Sequence, residues 1–311
     1  FVGYASGQNV VAADQNVAFG YATLATDTEG EKSTAIGYSA LATQNFTTAT
    51  DSYNTAVGYH AGLAVTTGIK NTFIGGLAGD ANTIGFNNVA LGYDAMGANT
   101  ASGANVAIGY QSLLVYNNTS EASHFNTAVG TQSGKGLTTG VQNTLIGGLA
   151  GDSLTDADYN VAIGYNALST ETLGSRSVAI GYEALGVQNT TTAVNMLNVA
   201  VGYNAGAAVT TGVQNTFMGA NAGDALNTGS YNVAVGHVAL TTDTKGNKST
   251  AFGYGALYAQ NLTTSTDTYN VAVGYDAGGA ITTGVQNTIM GALAGNALNT
   301  GENNTAFGVS A

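Results

Sequence analysis

The sequence has no cysteine, no proline and no tryptophan in 311 residues, and only six Lys and Arg together. Without cysteine there is neither a disulfide framework nor a thiolate metal site, and the redox compartment leaves no mark. So few basic residues, with no basic stripe, argue against nucleic-acid binding. No apolar run approaches the length of a membrane span, so this segment is not expected to insert into a bilayer. Charged residues make up only 8%, with a net charge of −12. The surface is therefore weakly acidic and built mainly of Asn, Thr, Ser and Gly. The missing proline suits stacked strands paired on both edges, where a residue without an N–H would break a ladder.

What is present is a phrase. Asn198 to Tyr203 reads "NVAVGY", with "NVAFGY" at Asn16, "STAIGY" at Ser33, "NTAVGY" at Asn54 and "NVAIGY" at Asn105. Its glycine falls at 3, 20, 37, 58, 75, 92, 109, 130, 147, 164, 181, 202, 219, 236, 253, 274, 291 and 308, in steps of 17, 17, 17 and 21 that no insertion breaks. Three short units and one long unit make a super-repeat, so that Gly58 returns as Gly130, Gly202 and Gly274. Such a spacing is too short for a helical hairpin and suits one turn of a β-solenoid. The 45 glycines, with abundant Thr, Val and Asn, also argue against helix. The expected fold is all-β: a parallel β-solenoid of about 18 coils, forming a single continuous repeat domain over residues 1–311. The chain begins and ends inside a phrase with no capping unit, which suggests a segment of a longer fibre or ends covered by neighbours.

The four units differ in ways that suggest a fixed space to fill. Units at Gly75, Gly147, Gly219 and Gly291 carry a bulky residue two before the glycine (Phe73, Leu145, Phe217, Ile289) where others have Ala. They also lack the tyrosine after it, having Gly76, Gly148, Ala220 and Ala292. The residue just before the glycine is apolar every time, and so is the one before that. In a strand these point to opposite faces, so both faces require cover. One layer is the inside of the coil. The other is a second chain on an Ala/Gly surface, with Ala200 and Ala234 facing it, or else a wide coil that buries both faces itself. The Asn four before the glycine, with Asn54, Asn126, Asn198 and Asn270 beside Gly58, Gly130, Gly202 and Gly274 as register marks, is expected to stack at a coil corner and bond along the axis.

Chemical motifs are sparse. His60, His124 and His237 sit at unrelated repeat positions and cannot stack into a metal or catalytic row. Ser and Asp are plentiful, so chance pairs resembling a nucleophile with its base carry no weight. No catalytic residue, cofactor site or metal site is assigned, and an enzyme is not expected. "GGLAGD" at Gly75 and Gly147 faintly matches a calcium-binding nonapeptide, but it occurs once per super-repeat and ends in Asn296 at the fourth. A turn glycine followed by a solvated Asp is the simpler reading. The tyrosines after the phrase glycines are read as corner packing rather than as a sugar-stacking row. An ice-binding face would need a regular Thr row, whereas the third residue before the glycine alternates irregularly between Thr and Val.

One feature rises above this background. Each long unit carries an Asn-x-Thr sequon at the same place, giving Asn45, Asn117, Asn189 and Asn261 as candidate glycosylation sites, one per super-repeat. The four extra residues lie in these loops, where a glycan would be tolerated.

The phrases "NVAVG", "STAIG" and "NTAVG" resemble the repeats of trimeric autotransporter adhesin heads, and "NTAVGYHAG" and "NVAIGYQSL" resemble those of phage tail fibres and related surface fibres. The resemblance spans all units and implies a left-handed parallel β-roll, with three chains side by side in a rod. It implies an extracellular location, on a cell-surface appendage or a virion, and a host-surface, matrix or glycan receptor. The units here are longer, and no neck, coiled-coil stalk or membrane anchor is present. The expectation is a structural and adhesive fibre acting as a homo-oligomer. The alternative is a filament, sheath or matrix subunit that stacks end to end.

Overall fold

A computed structural model describes all 311 residues and is all-β, with no helix. Each coil gives the main sheet one three-residue strand, the Val-Ala-Val of the phrase or its variant. Pairing is parallel and in register from coil to coil. Val199, Ala200 and Val201 oppose Val178, Ala179 and Ile180 on one side and Thr216, Phe217 and Met218 on the other. The first pairing crosses a long coil and the second a short one, so coils of both lengths keep one register. The four extra residues are looped out.

The chain divides into two compact units, Phe1–Ala157 and Asp158–Ala311. In the first, eight such strands run from Val17–Phe19 to Thr144–Ile146, and Val2 bridges to Phe19 ahead of them. In the second, nine run from Val161–Ile163 to Thr305–Phe307. Each unit is a parallel β-solenoid.

The glycine row is required by close approach. Gly58, Gly130, Gly202 and Gly274 hold φ between 137° and 145°, and a Cβ on any of them would lie 2.4–2.7 Å from the carbonyl oxygen of the next coil's glycine. An L side chain fits neither the dihedral nor the gap.

The structure corrects the assignment of faces. The middle residue of each strand points into its own coil. Ala35, Ala56, Ala128, Ala179, Ala200 and Ala234 are fully buried, so Ala200 and Ala234 cannot face a partner chain. The residue before the glycine points out, as with Ile36, Leu91, Met218 and Phe252. The interior is closed by the fourth residue after the glycine, a buried Leu at 24, 41, 113, 168, 185, 240 and 257 and Met at 96. Ala belongs inside because those Leu side chains take up the remaining space.

The same geometry relocates the volume exchange. Where the strand residue is Phe73, the facing positions are Gly62 and Gly79, and a Cβ there would lie 2.8 and 2.5 Å from the Phe73 ring. Phe217 stands in the same relation to Gly206 and Gly223, at 2.7 and 2.3 Å. The compensation is therefore internal. Gly76 and its equivalents lie on the outside and take no part in it.

The phrase asparagines form a buried ladder. Asn71 N–H donates to Asn54 Oδ1 at 2.9 Å, and Asn71 Nδ2 donates to the Gly85 carbonyl at 2.8 Å. The pattern repeats at Asn126–Asn143, Asn198–Asn215 and Asn270–Asn287. One amide thus ties its coil to the next while closing its own turn. Both ends of a buried polar group are satisfied.

Candidate functional site: the long loops and the outward sheet face

The long units anchor their extra residues on a buried acid that sequence reasoning passed over. Glu171 Oε1 accepts hydrogen bonds from the Gly174 N–H at 2.8 Å, the Thr190 N–H at 3.1 Å and the Thr190 hydroxyl at 3.0 Å. Its Oε2 accepts from Gln188 Nε2 at 2.9 Å. Asp243 is held by Gly246 N–H, Leu262 N–H and Gln260 Nε2 at 3.0, 3.1 and 2.5 Å. Asp27 is held by Gly30 N–H, Phe46 N–H and Gln44 Nε2 at 3.0, 3.2 and 2.6 Å. Each glutamine oxygen then accepts from the phrase asparagine, Asn54, Asn198 or Asn270, at 2.8–2.9 Å. A carboxylate accepting several N–H bonds is well satisfied when buried. The loop foot is therefore fastened to the ladder. An acid followed by Gln at the same point of the next coil, at Asp27–Gln44, Glu171–Gln188 and Asp243–Gln260, was the legible signal.

The second super-repeat departs from this. Asn99 takes the acid's place and Tyr116 the glutamine's, and the Tyr116 hydroxyl bonds His124 Nδ1 at 2.8 Å. Burial pushes the His124 imidazole below its ordinary pKa. His60 instead stacks on Tyr59 at 3.9 Å and His237 on Tyr254 at 5.5 Å. His124 is thus buried, while His60 and His237 both join the tyrosine column, and the three come from different repeat positions.

Beyond the feet at Asp27 and Asp243 the loop returns to form a second short pairing, Gly30–Glu31 with Thr50–Asp51 and Gly246–Asn247 with Thr266–Asp267. In the other two long units a single bridge stands there, Gly103 with Ser123 and Ser175 with Asn195. Lys32 and Lys248 reach across to Asp51 and Asp267 at 2.6 and 2.5 Å, with Tyr53 and Tyr269 beneath. Hydrogen bonding to Asp267 pushes Lys248 up to about 12, and the same contact holds the Asp267 carboxyl below its usual range.

Each sequon asparagine is bonded to a threonine of the neighbouring coil. The Thr28, Thr100, Thr172 and Thr244 hydroxyls donate to the Oδ1 of Asn45, Asn117, Asn189 and Asn261 at 2.8–3.2 Å. Asn45, Asn189 and Asn261 are exposed and Asn117 is half-buried; the sequon threonines Thr47, Thr119, Thr191 and Thr263 are all exposed.

Two rows of outward residues mark the sheet face. The positions before the glycines carry Val, Ile, Leu, Met and Phe, of which Phe19 is 57% exposed, Leu91 43%, Met218 45% and Phe252 54%. The row two positions earlier is Val and Thr, and neither row contains a charge. Alongside runs a column of half-exposed tyrosines, which are not packed into a corner. Tyr4, Tyr21, Tyr38 and Tyr59 stack at 4.9–5.4 Å, and Tyr165, Tyr182 and Tyr203 at 5.4–5.7 Å.

The "GGLAGD" turns do not present a solvated acid. Asp80 and Asp152 are half-buried, and desolvation raises both carboxyls above the ordinary range. No group of three His, Cys, Asp or Glu residues could hold a metal ion, and no helix is long and apolar enough to cross a membrane. No family model matches the chain, and no curated protein or solved structure matches it.

Proposed function

We propose that the chain is a structural and adhesive extracellular fibre segment, in which three copies pack side by side and the long loops touch the target. The observation that carries this is the outward sheet face, two uncharged rows of apolar and β-branched residues. Monomeric soluble proteins rarely leave a contiguous apolar patch of this kind uncovered. Side-by-side copies would cover it while the loops stay free. Loops fastened at their feet, three by a buried acid and the second by the Tyr116–His124 contact, can vary in sequence without disturbing the stack, and they do: "TQNFTTATDSY" at Thr43, "VYNNTSEASHF" at Val115, "VQNTTTAVNML" at Val187 and "AQNLTTSTDTY" at Ala259. Repeated weak contacts then add up through multivalency. The adhesin and tail-fibre likeness of the phrases points the same way, to a cell-surface appendage or a virion.

The test is native mass. The wild-type chain should run as three copies, and Ile180→Asp with Val201→Asp, both outward, should release single folded chains. The inward Ala200→Asp should instead unfold its coils. A wild-type mass of one chain at micromolar concentration would defeat the side-by-side reading.

A further inference from the structure

One recess breaks the repeat. In the unit Asp158–Ala311 a cavity of about 250 Å³ opens at the foot of the third long loop, lined by Asn166, Ser169, Thr170, Glu183, Gly186 and Val187. Its floor exists because of Gly186. The residues at the same register in the other super-repeats are Ala42, Leu114 and Tyr258, and the two larger ones would fill it. The wall varies from copy to copy. Glu183 stands where Ser39, Gln111 and Gly255 stand elsewhere, and Asn166 where Ala22, Asp94 and Val238 stand. The third super-repeat thus has room beside a carboxylate and an amide, whereas the second holds such a pair in reverse, as Gln111 and Asp94, beside Leu114.

The polar groups are unevenly committed. The Thr170 hydroxyl donates to the Gly186 and Gln188 carbonyls at 2.9 and 3.1 Å, and Ser169 donates to the Gly186 carbonyl at 3.3 Å. Their protons are spent, and what they offer inward is lone pairs. The Glu183 carboxylate adds acceptors, and its hydrogen bond with the Tyr182 hydroxyl pushes that phenol up. Asn166 brings an amide with both a donor and an acceptor. Val187, Ala207 and the bare Gly186 complete the lining. A ligand that fits must combine several donors with an apolar face.

We propose that this recess binds a neutral pyranose, a hexose unit of a surface glycan, with a vicinal diol on Glu183 and Asn166 and its C–H face on Val187 and Ala207. A sugar ring has this split character, and a carboxylate with an amide is the common way to hold adjacent hydroxyls. The inference deepens the adhesive reading, since it names a ligand class for one loop foot. It does not depend on oligomeric state: a native mass of one chain would defeat the trimer and leave the recess untouched.

The experiment uses the full chain. D-glucose, D-galactose, D-mannose and N-acetyl-D-glucosamine are each titrated to tens of millimolar, with saturation-transfer NMR and amide shifts at Asn166, Glu183 and Gly186 as readouts. At least one should bind with a millimolar-range constant and move those amides. Gly186→Tyr fills the recess with the side chain found at Tyr258. That site keeps the same turn bond, Tyr258 N–H to Gly255 O at 3.0 Å against Gly186 N–H to Glu183 O at 3.1 Å, so the variant should fold. It should weaken sugar binding by about tenfold or more, roughly 1.4 kcal/mol or more. Glu183→Gln, with the amide found at Gln111, should weaken it less. Ethylammonium chloride is the control for a simple cation site. Failure of all four sugars to move the recess amides would overturn the proposal. So would unchanged binding in folded Gly186→Tyr, or ethylammonium competing as well as the sugars.

Discussion

Asn82 is fully buried, and neither its Nδ2 nor its Oδ1 has a hydrogen-bond partner. At the same register the other super-repeats place Leu154, Leu226 and Leu298. Replacing Asn82 with Leu should therefore stabilise the unit Phe1–Ala157. A buried amide without partners costs about 1–3 kcal/mol, and full burial of a leucine side chain contributes about 1.5–3 kcal/mol. The available space moderates the sum. Leu226 and Leu298 each sit against a glycine, Gly229 and Gly301, where a Cβ would approach the leucine methyls to 2.7 and 3.2 Å. Asn82 has the matching Gly85, whose Cβ would lie 2.4 Å from Nδ2, so the leucine enters without a new clash. A net gain of about 2 kcal/mol is expected. At roughly 2–4 °C per kcal/mol for a unit of this size, the rise in Tm is about 4–8 °C. Repeat arrays need not melt in one step, so calorimetry should be paired with hydrogen exchange of the amides from Gly79 to Asn99. Those should gain protection, and the mirror change Leu154→Asn should cost a similar amount. An unchanged or lowered Tm with unchanged protection would show that the amide is not a burden, and the reasoning would fail.

Three further outcomes follow from the same geometry. Gly223→Leu alone should destabilise strongly, because its Cβ meets the Phe217 ring at 2.3 Å. Adding Phe217→Ala should recover most of the loss, and a double-mutant cycle with coupling below about 0.5 kcal/mol would refute the internal volume exchange. Asp152→Asn, which copies Asn296, should stabilise at pH 7 by less than about 1 kcal/mol, given the partial exposure, and not at pH 3. Burial holds that carboxyl's folded pKa above its ordinary value, so the favoured protonated form is present in acid and lost as pH rises through the folded pKa; equal effects at both pH values would contradict this. The Lys248 ammonium should titrate near 12 by NMR, the pair's contribution being present below the ordinary lysine value and lost as pH rises through about 12. A midpoint at the ordinary value would mean that the contact with Asp267 is not kept in solution.

The repeat, its parallel stacking and its register could be read from the sequence because the phrase glycine cannot be replaced. A residue such as Gly58, with φ of 145° and the next coil's carbonyl against it, leaves an unbroken mark once per coil. Which face was inside could not be read from the strand alone. A three-residue strand such as Val199–Val201 is apolar at every position, so alternation gives two faces without saying which is buried. The discriminating signal lay outside the strand, in the pairing of Phe73 with Gly62 and Gly79 against Ala35 with Leu24 and Leu41. Read as one volume, those positions place the alanine row inside. The loop feet were missed for a different reason. Asp27, Glu171 and Asp243 look like ordinary polar loop residues, and only the stacking of one coil on the next brings Gln44, Gln188 and Gln260 against them.

The tyrosine column has an optical consequence. With no tryptophan in the chain, ultraviolet emission comes from tyrosine, and rings stacked face to face at 4.9–5.7 Å are close enough to exchange excitation. Light absorbed at Tyr4 can leave from Tyr59 after passing through Tyr21 and Tyr38, and with successive ring planes only 7–21° apart most of its polarisation survives the passage. Fluorescence anisotropy should therefore stay high in the intact stack and fall when unstacking lets the rings point in different directions. Tyr38→Ala would split the run of four and leave the Tyr165–Tyr203 run as it is. A single chain thus carries a built-in gauge of whether its coils remain stacked, readable without a label.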